Sequence, residues 1–347
     1  MNVDKKPVGV AVIGLGMASK PHLDALELLQ DQIRVSGVFN WSRKRAEAVA
    51  AQSGYAVFDS VEAIAADSST QAVIILTPPN QRLEVVRTLA AAGKHILTEK
   101  PVERSTAAAR QIVEICETAN VLLGVVFQHR FRAGARRLAE LIRDGQLGKL
   151  ALVRADIPWW RDQAYYDVPG RGTYERDGGG VLISQAIHVL DLMLSLTGPA
   201  QSVQAICTTT DLHNMEAEDF ACGGIRFCSG AVGSVVATSA TFPGSTESIA
   251  VDGTEATAVL TGGNLKVMWR DGRQEEQGEI SGTGGGADPM AFPCDWHRDL
   301  IADFADAVRD QRPPAITGRE ALRVHALIDA MVTSSRTGQV ANVSQES

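Results

Sequence analysis

VGVAVIGLGMASKPHLDALELL, residues 8–29, runs from a near-continuous apolar segment through a glycine turn into a helical pattern. A strand buried on both faces reads as unbroken apolar residues, and a surface helix repeats them every three or four positions. Between the two lies Gly14-Leu15-Gly16-Met17-Ala18-Ser19, a G-x-G-x-x-G/A pattern with Ser19 in the third place. The first glycine permits the tight turn, and the second lets a pyrophosphate approach the backbone. The helix start then supplies N–H groups and the positive end of a dipole. Alone the motif is weak; with a strand before it and a helix after it, it is a dinucleotide-binding turn.

The rhythm continues outward. RVSGVF (34–39), AVIILT (72–77), HILTEK (95–100) and LLGVVF (122–127) read as strands, with helices at 43–52, 81–92 and 105–119 between them. Alternating strands and helices predict a doubly wound parallel sheet. After about residue 128 the pattern changes. A helix at 133–144 and a strand at 150–160 precede an apolar helix, and then come long strand-like segments with turns at Cys228-Ser229-Gly230 and Asp252-Gly253. These predict an antiparallel sheet. The expected architecture is an α/β Rossmann domain (1–128) and an α+β domain (129–347) with a large, mostly antiparallel open sheet. Two closing helices, near 295–310 and 318–336, follow a glycine-rich loop at 281–289, and these last helices are expected to pack back on the first domain. A chain of 347 residues suits two cores.

Composition narrows the function. A formal net charge of −8 supplies no basic footprint for nucleic acid. No secretory leader or membrane-length apolar run is visible. Five cysteines, odd in number and without metal-ligand spacing, read as thiols of a reducing compartment. The expectation is a cytoplasmic protein with no metal, no nucleic-acid partner and no membrane contact.

The second strand ends in Asn40, where NAD-binding domains place an acid on the ribose. Ser42, Arg43, Lys44 and Arg45 follow. Without the carboxylate a 2′-phosphate is not repelled, and the basic residues are able to pair with one, so NAD(P) is expected with a lean to NADP. The alternative is an Asn–ribose bond beside an ordinary solvated helix start.

Two further residues carry chemistry. Lys100, in Thr98-Glu99-Lys100-Pro101, stands at the carboxyl end of a sheet strand, where such sheets bind ligands. His188 lies in DGGGVLISQAIHVLDLML (177–194), on a helix apolar nearly all round. Ser184, His188, Asp191 and Ser195 share one stripe of an ideal helix, which must find partners or line a cavity. A core histidine bonded to Asp191 or to a carbonyl is the competing reading.

IGLGMAS, LTPPN, AAGKHILTEKP and GGGVLISQAIHVLDL together resemble the Gfo/Idh/MocA oxidoreductase family, over nearly the whole chain. QHRF, GQLGKL and WWRDQAYYD further resemble a subgroup containing nucleotide-sugar 3-dehydrogenases. The resemblance implies that Lys100 and His188 flank an oxidised carbinol, and that Pro101 follows a cis bond. It places Gly14, Gly16, Met17, Ala18, Ser19, Asn40, Ser42, Arg43, Arg45, Thr77, Pro78, Asn80, Glu99, Lys100 and Gln128 along the cofactor. Arg130, Arg154, Trp160, Arg161, Tyr165 and Ser184 join Lys100 and His188 at the substrate. The aromatic segment 159–174 suits a sugar ring, its arginines suit a carboxylate or diphosphate, and subunit packing is the competing use. Two positions depart from the family: Ser184 replaces an acid or amide, and Arg82 replaces a histidine.

The resulting expectation is an NAD(P)-dependent dehydrogenase acting on a secondary hydroxyl of a sugar, sugar acid, nucleotide sugar or cyclic polyol. The proton goes to His188 or, given Ser184, to Lys100. The rival readings are an NAD-dependent glycoside hydrolase and a non-catalytic dinucleotide sensor. A homodimer or homotetramer is implied by resemblance alone.

Overall fold

The computed structural model describes residues 6–280 and 294–345, so the loop expected at 281–289 lies outside the described residues. Two compact units make up the chain. The first takes the chain through Glu103, then Ala107–Val126 and the stretch ending at Ala321; the second takes Arg104–Thr106, the stretch from Phe127, and Leu322 onward.

The first unit is built on five parallel strands: β1 (Val8–Ile13), β2 (Ile33–Phe39), β3 (Ala72–Ile75), β4 (His95–Thr98) and β5 (Leu123–Val125). Their order is β2-β1-β3-β4-β5, and Val57 adds a single parallel bridge to Val38 outside β2. The helices are α1 (Ser19–Glu27), α2 (Arg43–Ser53), α3 (Val61–Ala66), α4 (Arg82–Ala91) and α5 (Thr106–Thr118). All of β1 and β3 is buried, as their unbroken apolar sequence requires. The strand order reverses at β1, so the gap between the carboxyl ends of β1 and β3 is the switch point at which such sheets bind ligands. A helix at Asp295–Asp310 packs on α1. Its Phe304 lies against Gly124, where a Cβ would sit 2.8 Å from the ring.

The second unit holds α6 (Ala133–Arg143), β6 (Leu150–Pro158), α7 (Gln163–Tyr166) and α8 (Ile187–Thr197). The strands β7 (Ala200–Thr208), β8 (Phe220–Phe227), β9 (Val232–Thr238), β10 (Ser248–Gly253), β11 (Ala256–Thr261), β12 (Asn264–Trp269), β13 (Gln274–Gln277) and β14 (Ala341–Asn342) complete it. The nine-stranded sheet runs β13-β12-β11-β10-β6-β9-β8-β7-β14. Every neighbouring pair is antiparallel except β6 with β9, which no hairpin joins. Val153, Ala155 and Ile157 of β6 are buried on the face that α8 covers. Leu152, Ile206, Val232, Val236 and Met268 stay exposed on the other face, as the strand registers require. Among the described residues no helix is long and apolar enough to cross a membrane, and all five cysteines are free thiols.

Candidate active site

At the switch point, Gly14 has φ +93°, and a Cβ there would lie 2.9 Å from backbone atoms of Leu76 and Thr77. Both the backbone angle and the approach of β3 therefore demand glycine. At Gly16, by contrast, nothing lies within 4 Å of the Cβ position. The turn is open where a pyrophosphate would approach. No side chain caps α1, whose N-cap is Ala18, and Ser19 turns its hydroxyl back to the Gly16 carbonyl at 2.7 Å. Met17 is half exposed. Across the gap, Thr77 is buried and its hydroxyl has no partner among the described residues. Pro78 and Asn80 follow it on the rim. An open glycine turn, an uncapped helix start and an orphaned buried hydroxyl fit a dinucleotide.

Asn40 takes a role the sequence did not disclose: its Oδ1 accepts the Leu15 N–H at 3.0 Å and pins the glycine turn. Ser42, Arg43 and Arg45 are exposed beside it. Arg43 is held by Glu47 at 2.9 Å and by Asp59, so among the described residues Arg45 is the one of the two arginines expected at a 2′-phosphate that no carboxylate holds.

Lys100 follows β4 and precedes a cis bond to Pro101. Its backbone is held by two buried side chains. The Glu99 carboxylate accepts the Lys100 N–H at 3.1 Å and a bond from His22 Nε2 at 2.7 Å. Arg82, 2% exposed, donates to the Thr77 carbonyl at 3.0 and 2.6 Å and to the carbonyls of Glu99 and Pro101. The departure from the family histidine is thus a brace across the turn. Burial pushes the Arg82 guanidinium down to about 10. Burial also works against the Glu99 charge, but the His22 bond and the neighbouring Lys100 outweigh it and hold Glu99 at about 2. His297, edge-on to His22 at 4.8 Å, is pushed by burial to about 3. The ligand atoms of His22, Glu99 and His297 lie within 4.8 Å of one another. The 2.7 Å separation of His22 and Glu99 is a hydrogen bond; two ligands on one tetrahedral zinc would stand about 3.3 Å apart.

In the second unit the apolar segment is not one straight α-helix. Leu182–Ala186 forms a π turn that leads into α8, a feature found preferentially at functional sites. The π turn places an extra residue in the segment between Ser184 and α8, so the backbone there departs from the ideal α spacing that the stripe assumed. Ser195 is exposed and bonds the Leu192 carbonyl. Upstream, Glu218 accepts the N–H groups of Gly180 and Leu182, each at 3.1 Å. A Cβ at Gly180 would lie 1.8 Å from the Glu218 carbonyl oxygen, which explains part of the glycine cluster.

His188 is 8% exposed, with its ring stacked on His129 at 4.9 Å and edge-on to Phe127 at 6.0 Å. His129 belongs to a 3₁₀ turn, Gln128–Phe131, which also carries Gln128 and Arg130. Arg130 grips Asp191 of α8 through two bonds of 2.7 and 2.6 Å. Arg132 Nη2 lies 2.7 Å from His129 Nε2, while Nη1 donates to Glu247 at 2.6 Å and to the Gly262 carbonyl at 3.0 Å. Trp159 Nε1 donates to the other Glu247 oxygen at 3.2 Å. Beside this network Tyr165 accepts from Arg171 and from Gln185 of the π turn. Arg161 lies near the same ring, and Trp160 stacks on His213. Arg154 does not join them. It sits on the exposed sheet face, 3.1 Å from Asp252, across the sheet from α8.

A family model described as "Oxidoreductase family, NAD-binding Rossmann fold" matches residues 8–127, and one for the GFO/IDH/MocA C-terminal domain matches residues 135–259. The chain belongs to the Gfo/Idh/MocA family. It is 31% identical over 201 residues to an uncharacterized oxidoreductase of Synechocystis, covering 56% of this chain and only 53% of that relative, about half its length. It is 28% identical to a 1,5-anhydro-D-fructose reductase of Ensifer adhaerens over 89% of this chain and 91% of that one. It also superposes on the WlbA dehydrogenase from Bordetella pertussis, solved with NADH and UDP-GlcNAcA. There the TM-score is 0.83 and the identity 28%, over 98% of this chain and all of the other.

In this Gfo/Idh/MocA chain, the sequence marked Arg82 only as a departure from the family and did not point to His22 in the first unit or to Arg132, Glu218 and Glu247 in the second. His22 and Glu99 are 77 residues apart, and Arg132 and Glu247 are 115 apart. No spacing rule links such residues. The available signal was a buried type out of place, such as a histidine inside the first Rossmann helix.

Proposed function

We propose that the protein is an NAD(P)-dependent dehydrogenase that oxidises a secondary hydroxyl of a sugar, sugar acid, nucleotide sugar or cyclic polyol. The observation that carries this reading is the setting of His188: a buried imidazole stacked on a second histidine, on the helix that follows the glycine cluster. In a family with an NAD-binding Rossmann fold, such a group is suited to a proton that leaves with a hydride.

When bound, the nicotinamide supplies the hydride acceptor. Gly14, Gly16, Met17, Ala18 and Ser19 present backbone to the diphosphate, and Thr77, Pro78, Asn80, Glu99 and Gln128 complete the cofactor contacts. Lys100, its backbone fixed by Glu99 and Arg82, stabilises the developing alkoxide. His188 takes the hydroxyl proton. Asn40 and Arg45 support a lean to NADP, while the engagement of Arg43 by two carboxylates narrows that lean to one arginine. The apolar exposed face of the large sheet supports a homodimer or homotetramer, with Arg154 on that face rather than at the substrate. Five free thiols support work in a reducing, cytoplasmic setting.

Cofactor reduction, measured with NAD and NADP across free sugars, sugar acids, nucleotide sugars and polyols, tests the reading. A substrate-dependent rise in reduced nicotinamide is expected. Cleavage of aryl glycosides with no net cofactor reduction would replace it with a hydrolase, and cofactor binding without turnover on any compound would leave a sensor.

A further inference from the structure

Arg161 and Arg171 flank Tyr165. The Arg171 guanidinium carbon lies 4.4 Å from the ring centre and that of Arg161 5.8 Å. Arg161 is more than nine-tenths buried, yet among the described residues the only acceptor for its side chain is the Trp160 carbonyl, at 2.7 Å. Arg171 donates to the Tyr165 hydroxyl. The Nε of each arginine is buried without a hydrogen-bond partner, and among the described residues neither is paired with a carboxylate. Asp162 accepts the Tyr165 N–H, Asp219 holds His213 and Thr210, and Asp177 accepts the Gly172 N–H. A solvent-shielded guanidinium normally has an ion-pair partner, because an uncompensated buried charge costs several kcal/mol. Here Arg161 stands without one beside the half-buried Arg171, and burial pushes the Arg161 guanidinium below its ordinary value.

The surroundings are shaped for a ligand. The Tyr165 oxygen accepts from both Arg171 and Gln185, so its own hydrogen is left to donate outward. Gln185 Oε1 is a buried acceptor without a partner among the described residues, and Gln185 stands three residues before His188. Arg171 and Gln185 thus meet at the Tyr165 hydroxyl, with Arg161 5.8 Å from the same ring and Gln185 three residues before the proposed base. His213, between the Asp219 carboxylate and the Arg161 carbonyl at 2.8 Å each, holds the main chain that carries Arg161.

We infer that Arg161 and Arg171 bind an oxyanion carried by the sugar substrate, so that the protein selects acidic over neutral sugars. This rests on the dehydrogenase reading for the position of the sugar. A carboxylate on the ring and a phosphate on the anomeric oxygen share the required chemistry, and both match the forked N–H geometry of arginine.

Calorimetric titration of the cofactor-saturated protein with D-glucuronate, glucose 1-phosphate and glucose tests the inference and separates the two sources. At least one anionic sugar is expected to bind roughly 10- to 100-fold more tightly than glucose, as charged hydrogen bonds imply. Arg171→Gln and Arg161→Gln should each lower affinity for the anionic sugar far more than affinity for glucose, removing most of the preference, with Arg171→Lys retaining part of it. Should Arg161→Gln fail to fold, the Arg171 pair decides alone. Equal affinity for charged and neutral sugars, or a preference untouched by Arg171→Gln, would overturn the inference. Turnover on the same compounds keeps the two readings apart. An acidic sugar bound through the arginines but never oxidised leaves the anion site standing and removes the dehydrogenase, whereas neutral sugars oxidised equally by wild type and Arg171→Gln do the reverse.

Discussion

The Arg132 guanidinium lies 2.7 Å from His129 Nε2, and His129 is stacked on His188. Arginine only donates, so this nitrogen must accept, and His129 carries its proton on Nδ1. His188 therefore faces a ring held in one tautomer by a buried cation that Glu247 balances. We expect the nitrogen NMR signal of His129 Nε2 to be of the unprotonated type. Replacing Arg132 with methionine should release that restriction and also destabilise the fold, since Glu247 would be buried without its partner. A protonated Nε2 in the wild type would contradict the assignment.

The two proposed chemical groups should affect rate rather than cofactor binding. Lys100→Ala and His188→Ala are each expected to lower kcat by roughly 100- to 10,000-fold, the usual span for a lost acid–base group. Cofactor affinity, read by quenching of protein fluorescence, should stay near the wild-type value. Wild-type turnover by both variants would remove the assignment.

Arg130, expected from sequence at the substrate, is the partner of Asp191, whose side chain is 2% exposed. Breaking such a pair from one side leaves a buried charge. Arg130→Met should cost about 3–5 kcal/mol in denaturant unfolding, and the double variant with Asp191→Leu should recover most of it. Full stability of the single variant would show that the pair contributes little.

Asn40 pins the glycine turn through Oδ1, an acceptor that aspartate retains. Asn40→Asp should therefore preserve NAD binding and repel a 2′-phosphate, shifting the NADP-to-NAD ratio of kcat/KM toward NAD by roughly tenfold, the size of one charge–charge contact screened nearly as in water. An unchanged ratio would place the 2′ position away from residue 40.

The His22–Glu99–His297 cluster sets an acid sensitivity. His297 falls from an ordinary value of 6.5 to about 3 in the folded chain. Between those values the unfolded chain binds the proton and the folded chain does not, so stability rises with pH across the window. It is complete above about 6.5 and decreases toward pH 3, by at most about 1.4 kcal/mol per pH unit. Glu99, lowered to about 2, adds a loss in the same direction below its ordinary value of 4.5. Melting temperatures measured from pH 7 to pH 4 should fall, and His297→Gln should flatten the slope. Identical slopes would mean that His297 does not control this range.

Local signals carried the fold a long way. The apolar runs and the glycine turn located β1, α1 and the carboxyl ends of the parallel strands, because strand period, helix period and turn chemistry depend on chain neighbours. The same signals misjudged the helix of His188. Its spacing implied one α stripe from Ser184 to Ser195, but a π turn at Leu182–Ala186 shifts the phase. That turn follows a glycine cluster tied to Glu218, a residue no periodicity connects to it.

The sequence by itself determined the two folding patterns, the dinucleotide turn, and Lys100 and His188 as the residues to watch. Only the tertiary structure decided how those residues are held. Arg82 braces the Lys100 turn, Asn40 pins the glycine loop, Arg130 is assigned to Asp191, Arg154 is turned to the far face of the sheet, and Arg161 is left buried beside Arg171. The reason is physical. A buried charge must be satisfied by whatever packs against it, and that partner is chosen by the meeting of elements far apart in the chain.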